Sequence, residues 1–75
     1  MKELIPESNP VQRAVKACIT QSALAEKVGV RPQAVQQWVA SGRVPAKRVI
    51  AVERATGGRV TRHELDPELY PLEAV

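Results

Sequence analysis

An all-α domain of four to five short helices is what this 75-residue chain predicts. Two observations carry the expectation. Apolar residues recur in short stripes at helical spacing. Each stripe is bracketed by punctuation: Pro10, Pro32 and Pro45 stand where a helix can start, and Gly29, Gly42, Gly57 and Gly58 where one can stop. The length suits one small domain, and such a domain buries only about 60–65% of its unfolded surface.

Helix one begins at Asn9-Pro10, a capping residue followed by the residue best suited to the first helical position. Val11, Ala14, Val15, Cys18 and Ile19 then form one apolar stripe, with Gln12, Arg13 and Lys16 facing away. Thr20 and Ser22 offer caps for a second helix that runs to about residue 28 and buries Leu24, Ala25 and Val28. Gly29 stops it by taking a left-handed conformation, and Val30 plugs the angle. Pro32 restarts the chain into a third helix buried through Val35, Trp38 and Val39, and Ser41-Gly42 ends it. Pro45 is expected to open the fourth helix, with Val49, Ile50 and Val52 as its apolar positions and Gly57-Gly58 as its close. Thr61 and Glu64 have capping-box spacing, which predicts one helical turn over 62–65 with Glu64 bonding back to the Thr61 amide. The expected division is a flexible arm at 1–8, the helical domain at 9–65 and an irregular, acidic, proline-containing tail at 66–75.

Composition removes several function classes. One Trp, one Tyr and no Phe leave the core to Val, Ala, Leu and Ile. A single cysteine forbids an internal disulfide, and with a single histidine it leaves no zinc constellation. Cys18 reads as a small core residue, and His63 as a surface or capping residue. The longest apolar run, 49–52, is far short of a membrane span or signal core, so a soluble cytoplasmic protein is expected. No pair of residues makes a credible acid, base, nucleophile or metal site, so neither an enzyme nor a cofactor is expected. Charge is uneven. Residues 31–62 carry seven basic side chains against Glu53 alone, whereas 63–75 carry four acidic ones and no Lys or Arg. That pattern is either an uneven solvated surface or an anion-binding middle with an acidic tail.

The second and third helices favour the anion-binding alternative. Ala25 is small where a crossing helix must approach, Gly29 makes the turn, Val30 fills it, and Val35 and Trp38 pin the second member. These spacings describe a helix-turn-helix. With Val35, Trp38 and Val39 inward, about 100° per residue puts Gln33, Gln36, Gln37 and Ala40 on the outer face. In this motif that face enters the DNA major groove. A glutamine amide carries a donor and an acceptor and can bond adenine N6 and N7 together. Gln33 and Gln37 are the first candidates for base contact and Gln36 the next; the plain alternative is that glutamine is a good surface helix former. Arg31 occupies a cap position where Ser, Thr, Asp or Asn serves better, and is a candidate for a phosphate or a guanine edge. Arg43, Lys47 and Arg48 are candidates for backbone phosphates, since cations at a helix start oppose its dipole unless an anion is bound. Gln21 and Ser22 are candidates for a further phosphate.

The stretches TQSALAEKVGVRPQAVQQWVASGRVP, RVIAVERATGGRVTRHEL and DPELYP resemble the Cro-like phage repressor family of the lambda-repressor-like helix-turn-helix class, in particular its small YdaS-type regulators. The resemblance spans about residues 11–71. It implies a bacterial or phage transcription regulator, a repressor that binds double-stranded operator DNA in the host nucleoid, usually as a homodimer, and it supports Gln21 as a phosphate contact. The alternative is an antitoxin or protein-binding adaptor, with a toxin protein as partner, whose helix pair is mainly scaffold. In the tail, Leu69, Tyr70 and Leu72 are expected either to cover the chain's own core or to meet a second subunit, and its acidic residues are not expected to touch DNA.

Overall fold

The computed structural model describes residues 9–71. The arm expected at 1–8 and the tail beyond Pro71, Leu72 included, lie outside the described residues. Among those described, the elements are α1 (Pro10–Ala17), α2 (Gln21–Val28), α3 (Pro32–Ser41), α4 (Val49–Ala55) and the single turn α5 (Arg62–Leu65), with a 3-10 turn at Ala46–Arg48 before α4. The described residues fold into helices and turns alone, as the punctuation predicts.

The caps explain the boundaries. Asn9 Oδ1 accepts from the amides of Val11 and Gln12, satisfying two donors that α1 leaves open. Thr20 accepts from the Ala23 amide, and Gly29 ends α2 at φ 91° and ψ 32°. Gly42 ends α3 in the same left-handed region, at φ 76°. Thr61 caps α5 by accepting from Glu64 N.

Leu24, Val11, Val35, Val49 and Val52 are the largest fully buried side chains of the core. They come one or two each from α1, α2, α3 and α4, so the core sits where four helices converge. Each contributes about 1.5–3 kcal/mol by leaving water. Ala25 is 1% exposed, the close packing its size predicts, while Val28 and Val30 are half-buried against the core. Cys18 is buried, and its thiol donates to the Ala55 carbonyl at 3.3 Å.

Four expectations need correction. Ile19 is not part of the α1 stripe: α1 ends at Ala17, Ile19 turns the chain with φ 82°, and its side chain is 81% exposed. Pro45 does not open α4 directly. Its φ of −56° and ψ of 144° lead into the 3-10 turn, and the α-helix starts at Val49. Ile50 is half-buried and lies outside the core that Val49 and Val52 enter. Half of the capping box forms: Glu64 Oε1 accepts from Arg13 at 3.0 Å instead of returning to Thr61. That exchange joins α5 to α1.

The segment after α5 is fastened in part. Tyr70 packs against the core, its amide donates to the Asp66 carbonyl and its carbonyl lies 3.1 Å from His63 Nδ1. Leu69 remains 50% exposed.

Candidate nucleic-acid interface

The site begins with two helices and the turn between them. Gly29 N and Val30 N both donate to the Ala25 carbonyl, at 2.8 and 2.9 Å, closing α2 and aiming the chain at Pro32. Val35 at 0% and Trp38 at 7% exposure then seat α3 on the core. With these two inside, Gln33, Gln36, Gln37 and Ala40 are all exposed, and no hydrogen bond among the described residues engages the three glutamine amides. Helical phase and burial agree: α3 presents donors and acceptors with no partner among the described residues.

Arg31 is the N-cap residue of α3, with extended backbone (φ −81°, ψ 152°) and no side-chain cap bond. The residue is exposed at the end of α3 whose first amides have no partner within the helix. Arg43 is exposed just past Gly42, and with Gln37, Ser41, Pro45 and Asp66 it lines a shallow open groove below the C-terminal end of α3. A candidate base-reading residue and a candidate phosphate residue thus share one surface. Asp66 brings a carboxylate to that groove, and its Oδ1 accepts from Leu69 N at 3.2 Å. Lys47 is exposed and Arg48 half-buried, both within the 3-10 turn. Gln21, half-buried, and Ser22, exposed, open α2, and neither lines the groove that holds Gln37 and Arg43.

The basic middle of the chain is not one patch. Arg62 is committed internally: Nε donates to Glu53 Oε1 at 2.9 Å, and the guanidinium lies over the Tyr70 ring at 5.6 Å. Arg54 lines a separate groove between α2 and α4 with Lys27. Among the described residues, no ion pair joins Arg31, Arg43, Lys47 or Arg48 to a carboxylate. Those four are the cations placed around α3 and the turn that follows it.

Residue choice alone concealed one contact. Asn9 reads as the cap of α1, yet its Nδ2 also donates to the Val39 carbonyl in the last turn of α3, at 3.2 Å. No spacing rule signals a bond between residues 30 positions apart.

The fold and this face together define a helix-turn-helix domain of the Cro-like class. A family model described as "Bacterial toxin YdaS" matches residues 11–73, and the chain belongs to that family. It is 48% identical over 50 residues to YdaS of Escherichia coli (strain K12), a candidate transcriptional regulator; that alignment covers 65% of this chain and 51% of the relative, so the chain spans about half the relative's length. The fold is similar to the Cro protein from Xfaso 1, a candidate prophage element in Xylella fastidiosa strain Ann-1, with a TM-score of 0.82 and 42% identity over 85% of this chain and 98% of that one. Among the described residues no helix is long and apolar enough to cross a membrane.

Proposed function

We propose that the chain is a sequence-specific DNA-binding transcription regulator, a Cro-like repressor of phage or prophage origin that acts at the host nucleoid. The observation that carries this reading is the outer face of α3, where Gln33, Gln36 and Gln37 are exposed and engaged by no other group of the described chain. The names of the two relatives support the same reading. In it, α3 enters the major groove and Gln33 and Gln37, with Gln36 and Arg31 beside them, meet base edges. Arg43, Lys47, Arg48, Gln21 and Ser22 hold phosphates on either side and fix the register. A homodimer sets two copies of α3 about 34 Å apart on a near-palindromic operator, and occupancy of that site blocks polymerase.

Selection of bound duplexes from random DNA tests the proposal, with a palindromic consensus as the expected result. Gln33→Ala or Gln37→Ala then loses about 1–3 kcal/mol of discrimination at one base pair with little change in salt dependence. Lys47→Ala weakens binding to all sequences alike and lowers the salt slope by about 1. Replacement of all three glutamines without a change of preferred site would overturn the readout.

The family description, which names a toxin, favours a second reading: a toxin–antitoxin or adaptor role in which the helix pair is scaffold. Exposed Ile19 and Leu69 are its candidate contacts. It expects a tight protein partner and no sequence enriched in the selection.

A further inference from the structure

Resting on the DNA-reading role above, we propose that Asn9 is a positioning residue for α3, holding the helix at the angle its glutamines need. The side-chain amide is used at both ends. Oδ1 accepts from Val11 N at 2.8 Å and from Gln12 N at 3.4 Å, while Nδ2 donates to the Val39 carbonyl at 3.2 Å. Capping alone does not ask for an amide, since aspartate and serine cap about as well. Among the side chains that cap well, only the asparagine amide puts an acceptor and a donor on one planar group.

Val39 lies in the last turn of α3, whose final carbonyls have no partner within the helix. The Trp38 carbonyl takes the Gly42 and Arg43 amides at 2.7 and 3.1 Å, and the Val39 carbonyl takes Asn9. This joint is close: a Cβ added to Gly42 would stand 3.3 Å from Asn9 Nδ2, so the amide would have to give by a few tenths of an ångström. Contact between α1 and α3 is otherwise slight, most of the packing on α3 coming from α2. The helix is therefore seated by Val35 and the Gly29 turn near its start and by Trp38 and Asn9 near its end. Without Asn9 the C-terminal end is held by Trp38 alone, and the helix can pivot about the contacts near its start. Over its roughly 15 Å length, a tilt of about 5° moves the free end by about 1 Å, beyond the roughly 0.5 Å that a preorganised contact tolerates. Asn9 joins the base of the domain to the end of the helix nearest Gln36, Gln37 and Arg43.

Two variants separate the clamp from the cap. Asn9→Asp keeps the acceptor at a helix start that favours a carboxylate, but loses the donor. Asn9→Ser keeps a cap without charge, its shorter hydroxyl falling short of Val39. The full chain and both variants are titrated against the duplex that the full chain selects from random DNA and against a scrambled duplex of the same composition. Hydrogen exchange of the Gly42 and Arg43 amides is read in parallel. In both variants the ratio of selected to scrambled affinity is expected to fall about three- to tenfold, the worth of one hydrogen bond. Melting temperature stays near that of the full chain, scrambled-duplex affinity holds in the serine variant, and the two amides exchange faster. A selected duplex bound with unchanged ratio by both variants overturns the role of Asn9 and leaves the DNA-reading function standing. A loss of ratio without faster exchange also overturns it, because the end of α3 is then not what Asn9 holds. Failure of the full chain to select any duplex sinks the underlying function, and this role with it.

Discussion

Replacing Ile19 by asparagine should make the protein more stable, although it removes a large apolar side chain. Ile19 holds φ 82°, a left-handed conformation that costs an L-residue about 1–2 kcal/mol and that β-branched residues rarely adopt. Its side chain is 81% exposed. With full burial of an isoleucine worth about 2 kcal/mol, the covered fifth is worth about 0.4 kcal/mol. Asparagine enters the left-handed region far more readily. The balance is a gain of about 1 kcal/mol, which in a domain this small raises Tm by about 4–8 °C. Urea and thermal unfolding followed by far-ultraviolet circular dichroism read it directly, with Ile19→Val as the control that trims volume and keeps the strain. An asparagine variant less stable than the natural chain at every concentration would refute the reasoning. A loss that appears only at high concentration would show that a second copy covers Ile19.

The two glycines that end α2 and α3 form a matched pair. Gly29→Ala meets nothing within 4 Å and carries only the conformational penalty, about 1 kcal/mol, whereas Gly42→Ala also crowds Asn9 and should cost about 0.5–1.5 kcal/mol more in urea denaturation. Thr56→Val strips the acceptor from Val60 N, a buried bond of 3.1 Å, and should cost about 1–3 kcal/mol by the same assay, while Thr56→Ser retains most of it. Trp38→Ala should cost about 3–5 kcal/mol of a total near 4–11 kcal/mol, a large loss of Tm read by circular dichroism; a variant that kept its Tm but lost DNA binding would place the indole outside the core.

What could be read in advance was whatever short-range chemistry decides. Asn9-Pro10, Gly29, Pro32, Gly42 and Thr61 act on their own backbone within four residues, so the helix boundaries they announce are the ones observed. The exposure of Gln33, Gln36 and Gln37 followed in the same way, from the phase of Val35 and Trp38. The misses lie where distant groups compete. Ile19 continues an apolar stripe on paper, but the chain must turn between α1 and α2 and does so at that residue. Glu64 had a local partner in the Thr61 amide and took Arg13, 51 positions away, instead. Arg62 counted toward a basic surface until Glu53 and Tyr70 claimed it. The donor end of Asn9 is of the same kind, since its acceptor is defined only once α1 and α3 have met.

Six of the twelve buried apolar residues among those described are valines: Val11, Val35, Val44, Val49, Val52 and Val60. Four of them, Val11, Val35, Val49 and Val52, lie in helices, where a valine has essentially one rotamer and folding freezes little side-chain motion. A chain too short to bury much surface thereby spends less entropy on the surface it does bury. The same stiffness reaches the outer face: with few alternative rotamers beneath it, α3 has few alternative poses to abandon when it meets a ligand, and less of the contact energy is lost to ordering the protein.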